Sequence, residues 1–304
     1  MANTPLYSRR RLLTTGATAL SSIPFSPLLR AQEEAKELQL PNRAVTKGRI
    51  KQSVMGWCFN PMKAVELAKV CKALGMPAIE GIGSGDYPSV MELGLKIAIV
   101  GSHGFGNGPV TTNNHAKCKE AILKSIDLAA KIGSPNVITF TGMAETGISP
   151  EQGSKNCVAL WKSVIGHAEK KGVNLCLEHL NSRDDTHPMK GHPGYFGDDV
   201  DHCADLIKQV GSPNMKLLFD IYHVQVMHGD VIRRLHGLKD IIGHYHTAGC
   251  PGRGEIDENQ EINYPPIMRA ILETGYEGYV AQEFIPTWPD KVDALRHAVA
   301  LCDV

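Results

Sequence analysis

Three times in this chain a helix-like stretch stops at a glycine, and a proline two residues on opens an apolar run: Leu74-Gly75-Met76-Pro77, Ile132-Gly133-Ser134-Pro135 and Val210-Gly211-Ser212-Pro213. A glycine just past the last helical turn accepts the left-handed cap, and a proline cannot continue the helix. Repetition of this punctuation confines the chain to folds built from βα units. The apolar runs predict eight strands, at residues 50–58, 78–82, 96–101, 136–141, 173–178, 215–220, 241–247 and 278–284. They are short and continuously apolar, as parallel strands buried on both faces are. Helical patterns fill the gaps. The clearest, 116–132, sets Ala121, Ile122, Ile126, Ala129 and Ala130 on one stripe, uninterrupted by proline or glycine. Gly172 and Gly275 mark further helix ends. Eight such units in about 250 residues predict an α/β fold, a single-domain (β/α)8 TIM barrel over residues 48–304. A doubly wound sheet is the alternative. Its phosphate fingerprint after the first strand is missing, and Gly81-Ile82-Gly83-Ser84-Gly85 follows the second strand without opening a convincing helix.

The 304 residues are 42% hydrophobic, ample for one large core. Basic and acidic residues balance at 32 each, which argues against a chain that grips nucleic acid through its phosphates. The eight cysteines form no CxxC pair, so a zinc ribbon or a thioredoxin-like redox site is not expected. Most sit in apolar segments and are expected as buried free thiols, with room for one disulfide in an oxidising compartment.

The N-terminus has the form of an address. Ser8-Arg9-Arg10-Arg11-Leu12-Leu13 precedes a weakly apolar run at 14–29, interrupted by Gly16, Pro24 and Pro27. The run is too broken for a stable membrane span, and a basic start before an apolar stretch reads as a signal peptide. The paired arginines are similar to a twin-arginine export signal. Residues 1–31 are therefore expected to direct export to the periplasm, and 32–47 to form a polar linker.

Barrels of this kind carry catalytic groups at the C-terminal ends of their strands. The fifth run ends Leu177-Glu178-His179, the sixth Phe219-Asp220, the seventh Tyr245-His246-Thr247 and the eighth Gln282-Glu283-Phe284. Each polar group terminates an apolar run, where an unpaired charge is costly. Three carboxylates meeting at one mouth repel one another. A divalent cation removes that repulsion and accepts oxygen and imidazole ligands together. Glu178, Asp220, His246 and Glu283 are thus the expected ligands of Mn²⁺, Mg²⁺ or Co²⁺, with no other cofactor. A structural zinc site would favour cysteine. His223, three residues past Asp220, is a candidate for orienting a ligand or touching substrate, and His103, ending the third strand, for the substrate pocket. His244 shares a strand face with His246 but lies further from the C-terminal end, so it is left out of the ligand set.

These residues resemble a known group. Glu178-His179-Leu180-Asn181-Ser182-Arg183-Asp184, with Pro193-Gly194-Tyr195-Phe196 after it, is similar to the stretch Glu-x-x-Asn-Thr-Arg-Asp…Pro-Gly-Tyr-Phe of the hydroxypyruvate isomerases. Asp220-Ile221-Tyr222-His223-Val224-Gln225 resembles their Asp-Ile-Tyr-His-x-Gln segment, and Pro251-Gly252-Arg253-Gly254-Glu255 with Glu261-Ile262-Asn263-Tyr264 resembles their loop after the seventh strand. The resemblance implies a TIM barrel of the xylose-isomerase-like superfamily. It also implies an aldose–ketose type isomerisation, hydroxypyruvate to tartronate semialdehyde, in which Glu178 and Glu283 shuttle a proton through a cis-enediolate. The chain departs from the pattern in three places. Hydroxypyruvate isomerases usually carry Gln where this chain has His246, a position that is His in the ketose 3-epimerases. Residues 185–192 look inserted near the active-site mouth. The family's metabolic enzymes are normally cytosolic.

Arg253, in a glycine-flanked loop, is a candidate to hold a substrate carboxylate by a bidentate pair, with Arg183 as a second candidate and Asn181 as a hydrogen-bond partner. Whether the proton returns to the neighbouring carbon or to the same one depends on substrate placement, which spacing does not resolve. The leading expectation is a metal-dependent isomerase of a small hydroxy-carbonyl compound. The alternative is a ketose 3-epimerase, or a dehydratase of a sugar or inositol derivative. A non-catalytic carbohydrate-binding barrel is a third reading. An endonuclease of the superfamily fits least, because the net charge is zero and the extra histidines and aspartates of a three-metal cluster are too few. The expected partner is a small-molecule substrate, not nucleic acid, and a homo-oligomer remains open.

Overall fold

A computed structural model describes residues 40–304. The export signal expected at 1–31 and residues 32–39 of the expected linker lie outside the described residues. The end of that linker packs on the domain. Ala44 and Val45, an apolar pair, are buried, and both their N–H groups donate to the Leu74 carbonyl at 3.0 Å.

Eight strands follow: β1 (Lys51–Val54), β2 (Ala78–Ile79), β3 (Lys96–Ile97), β4 (Asn136–Thr139), β5 (Asn174–Glu178), β6 (Met215–Asp220), β7 (Ile242–Thr247) and β8 (Tyr279–Gln282). Helices fill the crossovers: α1 (Ala64–Leu74), α2 (Tyr87–Glu92), α3 (His115–Ile132), α4 (Pro150–Lys171), α5 (Val200–Val210), α6 (Ile221–Met227), α7 (Val231–Leu238), α8 (Tyr264–Glu273) and α9 (Lys291–Cys302). Each strand lies within its predicted run. β2 and β3 are shorter than expected. Gly81 takes a φ of +62° and turns the chain just past Glu80, where a Cβ would collide with Met55 Sδ.

The strand order β1-β8-β7-β6-β5-β4 is parallel throughout, and β2 pairs with β3. Parallel bridges Met55–Glu80 and Val100–Val137 join the two sheets, so the ring closes as a (β/α)8 barrel. The punctuation behaves as the sequence predicts. Gly75, Gly133 and Gly211 cap α1, α3 and α5 with φ of +89°, +72° and +76°. Pro77 and Pro135 use their carbonyls to start the next pairing, accepting from Lys96 N–H and Asn174 N–H at 2.9 Å.

Ile99, Ile138, Cys176 and Leu218 fill the barrel, with Phe140 against them. The period of two then decides what stands at the mouth. Glu178 lies two residues beyond Cys176, and Asp220 two beyond Leu218, so both face the interior. All eight cysteines are buried and free. Among the described residues no helix is long and apolar enough to cross a membrane.

Candidate active site

Four strand ends meet at the C-terminal face of the barrel. Glu178 ends β5, Asp220 ends β6, His246 lies near the end of β7 and Glu283 follows β8. Register places Asp220 beside His246, and the Glu283 N–H donates to the Thr247 carbonyl at 2.9 Å. Asp220 also caps α6. Its Oδ1 accepts from the N–H groups of Tyr222 and His223 at 2.8 and 3.2 Å, and its own N–H donates to His179 Nε2 at 3.2 Å. One carboxylate is thereby held at a helix N-terminus with Oδ2 left over.

One donor atom from each of Glu178, Asp220, His246 and Glu283 lies within 4.8 Å of all the others, and all four residues are buried. His246 Nδ1 is 3.2 Å from Glu178 Oε1 and 2.7 Å from Glu283 Oε2. Neither contact is aligned as a hydrogen bond, and all three atoms lack a hydrogen-bond partner among the described residues. Buried polar atoms left this way are costly unless something else satisfies them. One imidazole nitrogen and three carboxylates form a donor set that suits a divalent cation, so these residues could hold one.

The electrostatics tell the same story. Burial, and then the Glu283 charge, push Asp220 up to about 7. Burial also raises Glu178, with His246 pulling the other way. Glu283 is pushed up by burial too, but Arg253 and His246 beside it hold it down at about 2. Burial works against the charged form of His246, yet the Glu283 charge and the nearby carboxylates of Glu178 and Glu80 hold its pKa well above the usual imidazole range. Three buried acids in one pocket do not all ionise comfortably without more positive charge.

Part of that charge comes from Arg253. Expected as a loop arginine free to hold substrate, it is 2% exposed. Its Nη2 lies 2.8 Å from Glu283 Oε2 and 3.8 Å from Asp220 Oδ2, and its Nη1 donates to the Met189 carbonyl at 2.6 Å. The guanidinium carbon sits 5.5 Å from the centre of the Trp57 ring.

A cavity of about 260 Å³ opens on Glu178, Glu283 and Arg253. Its wall is largely apolar, with Trp57, Phe105, Ile138, Phe140 and Met189. His103 lies on this wall, as the sequence suggests, with Nε2 2.8 Å from Thr139 Oγ1. The other expected substrate contacts are placed elsewhere. Arg183 is exposed, donates to the Val226 carbonyl at 3.2 Å and does not line the cavity. Asn181 is buried off the cavity wall. Its Nδ2 donates to the Lys190 carbonyl at 2.8 Å and lies 2.7 Å from His223 Nδ1. His223 is likewise off the wall, with Nε2 3.5 Å from Asp220 Oδ2.

Sequence reasoning missed Glu80, which follows β2 and is fully buried. Its Oε1 lies 2.9 Å from His246 Nε2 and 3.0 Å from His244 Nε2. The signal was present, since Glu80 ends the apolar pair Ala78-Ile79 just as Glu178 ends its own run. Reading that strand on to residue 82 hid it. His192, from the stretch 185–192, joins the cavity wall and was also missed.

The model of the family described as a xylose isomerase-like TIM barrel matches residues 89–302. A Drosophila melanogaster protein provisionally named hydroxypyruvate isomerase is 36% identical over 223 residues, 71% of this chain and 81% of that protein. A 2-oxo-tetronate isomerase of Cupriavidus necator is 31% identical over 177 residues, 56% of this chain and 63% of the relative. Among solved structures, an L-ribulose 3-epimerase superposes with a TM-score of 0.68 at 17% identity, over 83% of this chain and 92% of its own, a likeness of fold alone. With two thirds of its length matched by that family model and with relatives named as isomerases, the chain belongs to the xylose isomerase-like TIM-barrel family.

Proposed function

We propose that this isomerase acts on a small hydroxy-carbonyl compound, hydroxypyruvate going to tartronate semialdehyde in the leading case. In this reading Glu178, Asp220, His246 and Glu283 hold Mn²⁺, Mg²⁺ or Co²⁺. The observation that carries it is the convergence of one donor atom from each of the four residues within 4.8 Å of the others, with Glu178 Oε1 buried, without a hydrogen bond and on the cavity wall. A bound cation would polarise the substrate's carbonyl and hydroxyl oxygens and so acidify the neighbouring C–H. One glutamate takes the proton from that carbon, and the other delivers a proton to the adjacent carbon. The hydroxyl proton moves to the former carbonyl oxygen, so composition is unchanged. Arg253 keeps Glu283 ionised, and the apolar wall keeps water from the intermediate. About 260 Å³ falls just below the range of drug-sized ligand pockets, about 300 to 1,000 Å³, as a three-carbon substrate would require.

The test is incubation with Mn²⁺ and hydroxypyruvate in D₂O. Tartronate semialdehyde should form, and recovered substrate should carry solvent deuterium. Glu178→Gln and Glu283→Gln should each lower the rate by about 10²–10⁴-fold or more. Neither turnover nor exchange across a range of pH and metals would remove this substrate.

A second reading, a ketose 3-epimerase or a sugar or inositol-derivative dehydratase, draws on His246, the residue type expected at that position in the epimerases. Deuterium incorporation at C3 of a ketose, with no exchange of hydroxypyruvate, would select it. We also place the working enzyme in the periplasm, on the strength of Arg9, Arg10 and the apolar run after them. Finding the protein in the cytoplasmic fraction after expression with its own N-terminus would refute that placement.

A further inference from the structure

We infer that Glu80 is the positioning residue for His246, holding the imidazole so that Nδ1 faces the carboxylates at the barrel mouth. The inference rests on the cation reading above and adds a residue to it. Glu80 reaches across the barrel interior from β2 to β7, two strands that are not neighbours in the ring. Its Oε1 accepts from His246 Nε2 at 2.9 Å and from His244 Nε2 at 3.0 Å, while its Oε2 accepts from Ser53 Oγ at 2.6 Å. The backbone is fixed as well. Glu80 N–H donates to the Val54 carbonyl at 2.9 Å, and Gly56 N–H donates to the Glu80 carbonyl at 2.7 Å, closing the ring at this point.

An imidazole that ligates a cation is neutral and carries one N–H. When Nε2 donates it to a carboxylate, Nδ1 presents a lone pair, and the ring cannot rotate without breaking that bond. Nδ1 is the atom that stands 3.2 Å from Glu178 Oε1 and 2.7 Å from Glu283 Oε2 without a hydrogen bond. Glu80, His244 and His246 also form a cluster whose donor atoms lie within 4.8 Å of one another. Their spacings of 2.9 and 3.0 Å are those of hydrogen bonds, and both histidines meet the same carboxylate oxygen. That makes the cluster an orienting group and not a second cation centre. His244, whose Nδ1 has no partner, holds Glu80 from the layer beneath.

The experiment titrates Mn²⁺ into the metal-free full-length chain by calorimetry. Glu80→Gln keeps the shape but adds an amide N–H among donors, and should weaken Mn²⁺ binding about 10–100-fold. In a His246→Gln background the same change should have little effect, whereas a merely structural role would weaken both backgrounds alike. The visible spectrum of bound Co²⁺ should shift in Glu80→Gln, as it does when a nitrogen ligand turns away. Should Glu80→Gln fail to fold, Ser53→Ala, which frees one oxygen of Glu80, should still weaken Mn²⁺ several-fold in the His246 chain only. Unchanged affinity in the folded variant overturns the inference alone. An unaltered chain that binds no Mn²⁺ overturns the cation reading and this inference together.

Discussion

Arg253 shows how one residue changes meaning between sequence and structure. Flanked by Gly252 and Gly254, it has the look of a mobile clamp. In the fold its guanidinium is shared between Glu283 and the Met189 carbonyl, so it neutralises the acidic ring and ties down a loop at once. Arg253→Ala would leave Glu283 and Asp220 buried without their nearest guanidinium, at a cost of about 3–5 kcal/mol. Saturating Mn²⁺ should return part of that stability, because a ligand that binds only the folded state raises its melting temperature. Thermal melts with and without the metal check both. Arg253→Lys should restore little, since a point charge cannot serve two acceptors through a planar fork. The four residues that the sequence singles out at strand ends, Glu178, Asp220, His246 and Glu283, do converge, because a charge ending an apolar run carries its own warning. Asn181 lies off the cavity wall, bonded to the Lys190 carbonyl of a loop whose path the local pattern does not encode, and Arg183 is exposed.

That loop is the informative element. Residues 185–192 look like an insertion, yet they supply Met189 and His192 to the cavity wall. The Lys190 carbonyl accepts from both Asn181 Nδ2 and Tyr222 Oη, at 2.8 and 2.9 Å. Tyr222 belongs to α6, which starts directly on Asp220, so the element that caps one candidate ligand also anchors the wall. Tyr222→Phe removes one hydrogen bond, worth about 1 kcal/mol. Amide exchange across 185–192 should quicken about fivefold, with the strands unchanged. Hydrogen–deuterium exchange read by mass spectrometry decides it, and uniform quickening across the barrel would contradict a local anchor.

Across the whole molecule, the barrel is held shut where the described chain begins and ends. Asp303, just past α9, accepts from the N–H groups of Thr46, Lys47 and Gly48 at 2.5, 2.6 and 2.7 Å. This clasp sits beside the pairing of β1 with β8 that completes the ring. Burial pushes the Asp303 carboxyl up, but the amides bonded to it hold it below the ordinary range. A depressed folded pKa means the stability is present above the unfolded value of about 3.9 and is lost as pH falls through the folded one. Asp303→Asn should therefore lower stability by about 3 kcal/mol at pH 6, with the gap narrowing as pH drops below about 3.9. Urea melts at both pH values measure it, and a constant gap would show that the carboxylate charge is not the source.

From the sequence alone came whatever depends on near neighbours along the chain. The glycine-then-proline stops, the eight apolar runs and the charged residues that end four of them were enough for a closed barrel with an acidic mouth. Hydrophobic periodicity and turn chemistry act over a few residues, so they survive being read in one dimension. Only the tertiary structure decided that Glu80 meets His246 across 166 positions, that Arg253 is buried, and that a loop walls the cavity. Those contacts join groups far apart in the chain, and they exist only once ring closure has set every strand's inward face against its opposite number.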